Sequence, residues 1–478
     1  MSALPALYCD VCEDLPRPDE RVPADRATCL RRATMRLAEE FPEMSATCVV
    51  TRWQAVVLSA FAAVLAAAIV AWPWPVADVA VAAMSIGFLG SLILRCVLAL
   101  FGWRREAATG PIGTIDLPDY TVLVPVYREA GMIPQMARSL RGLDYPAAKL
   151  DICMVLEEDD RDTRVAVEAA GLRAIVVPPG APRTKPKACN YALHFARGEF
   201  IVVYDAEDRP EPDQLRKAVA AFRANPHISC FQARLMIDRA PVWVARMFAI
   251  DYALWFRTLL PGLERLGAPI PLGGTSNHFR IAALVEAGAW DPFNVTEDAD
   301  LGLRLARLGH RVGILDSTTY EEAPVRVGQW VRQRTRWMKG YMQTLLVHTR
   351  DPWALVRTVG LRGCLAILAF LGGAVCSALV NPLMWVICLY AILFSAGDHG
   401  TLELLARISG MTLLAANGLL AGMALIDGSR QRGAAEAGIV LSYPLYWLLI
   451  SAAAYRAVWQ LLRDPYRWEK TPHGAALQ

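Results

Sequence analysis

An uncharged run of 20 residues from Trp53 to Trp72 is the feature that most restricts what this chain can fold into. A helix of this length crosses the ~30 Å hydrocarbon core of a bilayer, where every backbone amide must be bonded within the segment. A second apolar run, 76–103, follows it, and Arg95 near one end of that run is interpreted as an interfacial anchor. The sequence therefore predicts an integral membrane protein.

The rest of the chain separates into a mixed central block and a second apolar region. The predicted parts are a cytoplasmic N-terminal segment with an amphipathic helix (1–52), two transmembrane helices (53–103), a cytoplasmic block of alternating strands and helices (118–350), about four transmembrane helices (361–462) and a cytoplasmic tail (463–478). Two of the last four passes are expected to turn at Asn381-Pro382, which makes six passes in total.

The arginines predict the orientation of these passes. Six arginines lie between Arg21 and Arg52, before the first span, and Arg104 and Arg105 follow the second span. Because positively charged residues favour the cytoplasmic side, the N-terminus and the central block are predicted to be cytoplasmic, in a multi-pass protein of the inner membrane. Arg430 and Arg432 disagree, because six passes place their loop outside. A single broken helix at Asn381-Pro382 is the alternative that removes this disagreement.

Charge and cysteine usage exclude several classes of protein. A net charge of +3 and the absence of a basic run with interleaved aromatic residues argue against a nucleic-acid partner. The 11 cysteines are scattered, without the spacing of a disulfide framework. Cys9 and Cys12 form a CxxC pair that has no second pair at zinc-ribbon spacing, so a metal is not expected there.

Acidic clusters follow two predicted strands of the central block. They are Glu157, Glu158, Asp159 and Asp160 after the strand 152–156, and Asp205, Glu207 and Asp208 after the strand 200–204. In a doubly wound α/β sheet, ligands bind beyond the carboxyl ends of the strands. Carboxylate oxygens are hard ligands, suited to Mg²⁺ or Mn²⁺ that carries a diphosphate. The sequence thus predicts a site at this edge of the sheet.

Two further motifs admit a structural explanation as well as a functional one. In "NVTEDADLGLRL", Glu297, Asp298 and Asp300 precede a helix-spaced apolar run, and acids suit the first turn of a helix that Thr296 can cap. In "VRQRTRW", arginine and tryptophan are also the residues of a helix at a membrane interface. The strand-end acids favour a functional site for the first motif.

Taken in order, "DAED", "TED" and "QRTRW" resemble motifs of the processive membrane glycosyltransferases of family 2, the cellulose, chitin and hyaluronan synthases. The resemblance covers roughly residues 119–346 with the flanking helices. It implies an α/β GT-A domain, nucleotide-sugar-binding and Rossmann-like, inserted between transmembrane helices. The implied activity is a metal-dependent, inverting transfer of a hexose from a UDP-sugar to a growing β-linked polysaccharide, which passes across the membrane.

The resemblance also implies a role for each matching position. Asp205 and Glu207 would bind Mg²⁺ or Mn²⁺, with Asp208 as an alternative to Glu207, because the second Asp of the D-x-D motif is replaced here. The donor nucleotide would lie near Glu158, Lys187, Asn190, Asp205 and Arg336, and the acceptor near Thr275, Ser276, Asn277, Gln333 and Trp337. Asp298, beside Glu297, would be the general base.

The expected partners are the UDP-sugar, the polysaccharide acceptor, the lipid bilayer and an envelope export partner. One alternative is a non-processive glycosyltransferase that acts on a membrane lipid, and a second is an inactive export or adhesion component. Product size separates the first two, and detectable release of UDP excludes the last.

Overall fold

The computed structural model describes residues 25–103, 116–394, 401–432, 438–439 and 441–469. The Cys9–Cys12 pair and the arginines Arg104 and Arg105 lie outside the described residues.

A mixed eight-stranded sheet forms the centre of the soluble block. Its strands are β1 (Tyr120–Val126), β2 (Leu150–Glu157), β3 (Arg173–Val177), β4 (Phe200–Val203), β5 (Arg209–Pro210), β6 (Ile228–Arg239), β7 (Asn277–Arg280) and β8 (Arg311–Glu322). Their order is β3-β2-β1-β4-β7-β6-β8-β5. β1, β2, β3 and β4 are mutually parallel neighbours, whereas β7 is antiparallel to both β4 and β6. The α/β fold class predicted from the sequence is therefore confirmed.

Helices account for most of the remaining residues. They are α1 (Arg26–Glu40), α2 (Arg52–Ala71), α3 (Pro73–Gly102), α4 (Ile133–Arg141), α5 (Arg161–Ala169), α6 (Lys185–Leu193), α7 (Gln214–Ala224), α8 (Trp243–Leu254), α9 (Leu260–Arg265), α10 (Ile281–Glu286), α11 (Glu297–Arg307), α12 (Val327–His348), α13 (Pro352–Ile367), α14 (Gly373–Phe394), α15 (Thr401–Arg432) and α16 (Tyr443–Arg463). π-helical turns join α8 to α9 and α13 to α14.

The central strands are apolar on both faces because helices cover both. In β1 and β4 nearly every residue is buried, as expected for parallel strands between two helical layers. One layer contributes Leu140 and Phe222 from α4 and α7, and the other contributes Tyr191 and Leu301 from α6 and α11. This packing brings the carboxyl ends of β1, β2 and β4 to one edge.

The predicted amphipathic helix docks on the soluble domain. Cys29, Ala33 and Leu37 of α1 are buried within the layer that contains α6. Leu30 approaches Gly180, and Leu37 approaches Gly288, where an added Cβ would lie 2.7 Å from Leu37 Cδ1 and where the positive φ of 75° also favours glycine. The position of α1 is therefore that of a helix docked on the soluble domain.

Five helices within the described residues are long and apolar enough to cross a membrane, rather than the six passes predicted. The difference lies at Asn381-Pro382. Pro382 is inside the continuous helix α14, so the predicted turn is absent and Pro352–Tyr390 forms one candidate span. The sharp irregularity is instead at Gly360 within α13, which has a φ of 71°. Proline is tolerated in membrane helices because neighbouring groups re-satisfy the backbone bond it removes.

The span α3 reaches the soluble domain through glycine contacts. Gly262 of α9 lies directly against the backbone of Leu98, and Gly102 lies against the carbonyl of Thr258. Any Cβ at either glycine would overlap the backbone that faces it. The close approach of α3 to α9 therefore requires glycine.

We expect Gly262→Ala to destabilise the protein, by about 1–3 kcal/mol, the usual cost of overpacking. The change forces α9 away from the backbone of Leu98, and the loss is measured as a lower thermal unfolding temperature in detergent. Gly87→Ala is the matched control, because a Cβ there meets nothing within 4 Å. An equal effect of both changes would contradict the proposed contact.

Candidate active site

A cavity of about 400 Å³ opens at the carboxyl ends of β1, β2 and β4 and continues to the membrane helices. Its polar end includes Asp205, Glu207, Glu297 and Asp298, and its other end is lined by residues of α3, α14 and α16. All three acidic clusters that the sequence singled out reach this cavity, the first through Glu157 and the other two through these four residues.

The loop after β4 presents two of its three acids to the cavity. Asp205 and Glu207 line the cavity, whereas Asp208 is fully buried beneath them. Asp208 Oδ2 accepts a hydrogen bond from the Asp205 amide at 2.7 Å and another from the Thr275 hydroxyl. Burial, together with Asp205 and Glu207, raises the pKa of Asp208 well above its usual value. Asp208 thus shapes the loop, and Glu207 is the acid placed for a ligand.

Lys185 is a cavity residue that the sequence interpretation missed. Its Nζ donates to Asp205 Oδ1 at 2.5 Å and to the carbonyl oxygen of Gly274 at 2.7 Å. Burial opposes the charge of Lys185, but Asp205, Glu297 and Cys189 together outweigh burial, and the pKa of Lys185 is raised. The lysine predicted for the donor, Lys187, instead forms a buried ion pair with Glu157 at 2.9 Å and does not itself line the cavity.

The position of α6 explains why Lys185, and not Lys187, lines the cavity. Lys185 is the first residue of the helix and stands at the cavity mouth, whereas Lys187, two residues later, points to another side of the helix. The threonine and proline on either side of Lys185 mark a helix start, and this signal was available in the sequence.

Two other predicted donor residues lie outside the cavity lining. Glu158 is exposed in the turn after β2, and its neighbour Glu157 lines the cavity instead. Asn190 donates to the carbonyl oxygens of Ala33 at 2.9 Å and Trp290 at 2.7 Å. Asn190 therefore fastens α1 to the domain.

Glu297, which is buried, and Asp298, which is half-buried, lie side by side in the first turn of α11. Burial and the neighbouring Asp298 raise the pKa of Glu297 from 4.5 to about 8. Burial also raises the pKa of Asp298, although Lys185 and Arg336 both oppose this shift. The third acid, Asp300, is not in the lining, since Arg304 and His348 hold it at 2.7 and 3.0 Å. The acidic cluster thus divides into a reactive pair and a structural residue.

Only one of the three residues predicted to lie under the acceptor lines the cavity. Thr275 does so, and its hydroxyl donates to the Val203 carbonyl at 3.1 Å as well as to Asp208. Ser276 bonds to Thr319 at 2.7 Å, and Asn277 donates to the Gly273 carbonyl at 2.6 Å. Ser276 and Asn277 therefore hold the wall from behind.

All three predicted residues of "QRTRW" line the cavity from one face of α12. Arg336 donates to the Val295 carbonyl at 3.1 Å, which ties α12 to the segment before Glu297. The ring of Trp337 stacks on Tyr252 with centroids 6.0 Å apart, and the Arg334 guanidinium lies 4.7 Å from the same ring. Gln333 completes this face.

The segment after α16 also forms part of the wall, although the sequence interpretation treated it as a tail. Trp468 lies 4.7 Å from the Arg336 guanidinium, and both Trp468 and Glu469 line the cavity. Lys339 donates to the Arg467 carbonyl at 2.8 Å, and Glu469 forms a two-point ion pair with Arg456 at 2.6 Å. The segment is therefore fixed over the side of the cavity that contains Arg336.

Asp205 and Glu207 fit a divalent cation only as part of a shared ligand set. Among the described residues no three acidic, histidine or cysteine side chains converge closely enough to hold a metal by themselves. Mg²⁺ is commonly bound by one or two carboxylates, with phosphates and water completing its octahedron. The two cavity carboxylates match that pattern, provided that a diphosphate supplies the remaining ligands.

Comparison with protein families agrees with this arrangement. Residues 121–276 match the model of Glycosyl transferase family 2, and residues 200–424 match the model of Glycosyl transferase family group 2. The chain is 27% identical over 299 residues to beta-monoglucosyldiacylglycerol synthase of Synechocystis sp., covering 59% of this chain and 60% of that protein. It is 25% identical over 254 residues to probable glucomannan 4-beta-mannosyltransferase 1 of Arabidopsis thaliana, covering 50% and 46%.

The chain thus spans about half to three fifths of the length of these curated relatives. Among solved structures, it resembles the mannosyltransferase PcManGT from Pyrobaculum calidifontis in complex with GDP-Man and Mn²⁺, with a TM-score of 0.50 and 21% identity over 80% of this chain and 99% of that one. This likeness concerns the fold, and it confirms the predicted GT-A architecture.

The two lysines of α6 should respond differently to replacement. Lys187→Met leaves Glu157 charged and buried without a partner, which we expect to cost about 3–5 kcal/mol of unfolding free energy. Lys185→Met should cost less stability, because Asp205 is one-third exposed, but it should weaken the binding of UDP. Chemical unfolding and calorimetric titration with UDP measure the two effects. Equal loss of stability in both variants would contradict this division.

The buried acids predict a pH-dependent stability. The pKa of Glu297 is 4.5 in an exposed carboxyl and about 8 in the folded site, so the folded state binds more protons between these values. The free energy of unfolding therefore falls as the pH rises through that window. Glu297→Gln removes this loss of stability. The unfolding temperature of the variant minus that of the wild type should therefore be larger at pH 9 than at pH 5.

This comparison is made by thermal unfolding in the presence of a chelator, so that no added cation screens the acids. Glu168→Gln is the control, because Glu168 is exposed beside Arg164. A difference between Glu297→Gln and the wild type that does not change with pH would show that Glu297 titrates normally.

Proposed function

Because residues 121–424 carry family 2 glycosyltransferase sequence, we propose that the protein transfers a hexose from a UDP-sugar to an acceptor hydroxyl with inversion at the anomeric carbon. The observation that carries this proposal is the joining, in one cavity, of a buried acid pair at 297–298 with a second acidic station at 205–207 and with Arg336. An inverting displacement needs a base for the acceptor and neutralisation of the leaving diphosphate.

Asp298 is proposed as the general base, with Glu297 beside it. The acceptor hydroxyl gives its proton to Asp298 while its oxygen forms a bond to the anomeric carbon, and the bond from that carbon to the diphosphate oxygen breaks. Lys185 and Arg336 favour the ionised form of Asp298, whereas burial raises its pKa. A base whose pKa lies near the working pH combines availability with driving force.

The leaving diphosphate is proposed to lie between Lys185 and Arg336. Both side chains line the cavity that contains Asp298, and both lower the pKa of Asp298, which supports a position near the reacting centre. Mg²⁺ or Mn²⁺ held by Asp205 and Glu207 would supply further positive charge for the diphosphate. With that charge in place, the Lys185 ammonium no longer has to pair with Asp205. It would then be available to a phosphate oxygen.

The acceptor is proposed to be a growing β-linked polysaccharide that leaves through the membrane side of the cavity. Aromatic side chains line that side, namely Tyr252, Trp255, Phe256, Trp337, Tyr341 and Trp447. Trp255 and Tyr341 are stacked with centroids 6.4 Å apart, and Trp337 continues the aromatic surface. Flat apolar faces with polar edges suit pyranose rings better than acyl chains.

A membrane lipid is the second candidate acceptor. Ala374 of α14 and Ile450 of α16 bring small and aliphatic surface to the same end of the cavity, where a lipid headgroup can enter from the bilayer. The relative from Synechocystis sp. is named for the synthesis of a glycosylated diacylglycerol. An inactive export component is disfavoured by the cluster of buried acids, which a scaffold has no reason to retain.

The domain at 116–350 is proposed to face the cytoplasm of a multi-pass inner-membrane protein, where UDP-sugars are made. A single span at Pro352–Tyr390 supports this orientation, since it returns Arg430 and Arg432 to the side that the positive-inside rule favours. The same orientation requires α16 to lie along the cytoplasmic face without crossing, because Trp468 after it contacts Arg336 of the cytoplasmic domain. If the product is secreted, the proposal also includes an envelope export partner.

Purified protein in detergent, offered a panel of UDP-sugars with Mg²⁺ or Mn²⁺, tests the proposed activity. We expect release of UDP with one donor and a product of high molecular mass. A product that partitions with added lipid and contains one sugar would replace the polymer by the lipid acceptor. Absence of UDP release with every donor would overturn the proposal.

Asp298→Asn should lower the turnover roughly 10²–10⁴-fold, the range that a positioned acid-base group contributes. The binding of UDP should change little, because the carboxamide keeps the shape of the side chain. UDP release and calorimetric binding are measured on one preparation, with Asp162→Asn on the exposed first turn of α5 as the control. Retention of more than about a third of the turnover would remove Asp298 from the role of base.

A further inference from the structure

The membrane end of the cavity contains a cation that the proposed transfer does not use. Arg95 belongs to the candidate span α3 and lines the cavity with Trp447 of α16. Its guanidinium carbon lies 5.6 Å from the centre of the Trp447 ring. The sequence predicted an interfacial anchor, and the structure adds that the side chain lines the cavity.

The charge of Arg95 has no carboxylate partner in the part of the chain that the structure describes. The neighbouring cation is already neutralised, since Arg334 donates to Asp251 at 2.7 Å and to the Tyr446 hydroxyl at 3.1 Å. The excess positive charge at this end of the cavity therefore belongs to Arg95. An ionisable residue inside a membrane span is costly and commonly marks a function.

The depth of Arg95 is set by the contact between α3 and α9. Leu98, about one helical turn further along α3, packs against Gly262 of the soluble domain. Arg95 therefore lies close to the surface of the bilayer, at the level of lipid headgroups. Tryptophan is enriched at that level, and Trp447 provides the second wall.

We propose that Arg95 and Trp447 form a subsite for the phosphate ester of an anionic membrane lipid. A guanidinium presents two parallel N–H groups to a phosphate, and such charge-assisted pairs are among the strongest hydrogen bonds in proteins. Anionic lipids are concentrated in the cytoplasmic leaflet, where the proposed orientation places Arg95. The subsite goes beyond the proposed transfer but rests on it, because Trp447 also lines the end of the cavity proposed for the acceptor.

Lipid binding by the full chain tests this subsite. The purified protein is titrated with phosphatidylglycerol or phosphatidylcholine, and the bound lipids are counted by native mass spectrometry. The wild type should prefer phosphatidylglycerol roughly tenfold, consistent with one charge-assisted pair. Arg95→Gln should lose this preference, and Arg95→Lys should keep part of it because the charge remains.

Arg463→Gln is the matched control. The Arg463 guanidinium lies 5.0 Å from the ring of Trp459 at the end of α16, but neither residue lines the cavity. This change should leave the preference for phosphatidylglycerol as it is in the wild type. If Arg463→Gln and Arg95→Gln have the same effect, the preference reflects general surface charge and the subsite is excluded.

Competition experiments test whether the ligand bound at this subsite is a lipid or another anion. An excess of inorganic phosphate should leave phosphatidylglycerol bound, and its complete displacement would overturn the assignment to a lipid. Displacement by an acidic oligosaccharide would assign Arg95 to an acidic polymer instead. UDP release is assayed on the same variants, so a failed transferase activity is seen separately from a failed lipid site.

Discussion

The ammonium of Lys185, held 2.5 Å from Asp205 and 2.7 Å from the Gly274 carbonyl, is the contact on which the polar end of the cavity depends. Carboxylates at 205–208 and 297–298 are crowded into one region, where burial together with Asp205 and Glu207 raises the pKa of Asp208, and burial together with Asp298 raises that of Glu297. Without compensating cations, such a cluster would take up protons or resist folding. Lys185 and Arg336 keep part of the cluster ionised. The cluster therefore destabilises the fold and at the same time supplies ionised groups for chemistry.

Acidic residues also lie behind the cavity wall, where they fix the position of the acidic residues that line the cavity. Asp208 shapes the loop of Asp205, and Asp300 is fixed by Arg304 and His348 beneath the pair at 297–298. These buried partners fix the rotamers of the residues that face the ligand, as a preorganised site requires. Motif membership alone therefore does not separate a residue that touches substrate from one that positions it.

The membrane helices contribute directly to the cavity. α3, α14 and α16 supply Arg95, Ala374 and Trp447 to its far end, and the segment after α16 returns Trp468 to the side of Arg336. A transferase built in this way exposes its acceptor side to the bilayer and its donor side to water. Under the proposed function, the donor would enter and the product would leave at opposite ends of this cavity.

The sequence by itself determined the membrane character, the α/β domain and the three motifs, because hydropathy, strand alternation and acids at strand ends are local properties. It placed Asp205, Glu207, Asp298 and the 333–337 motif at a common site. Only the tertiary structure decided between Lys185 and Lys187, kept Pro382 within one helix, and brought Arg95 and Trp468 to the cavity. The physical reason is that these outcomes depend on which helix face meets which neighbour, and contacts between residues distant in the chain leave no spacing pattern in it.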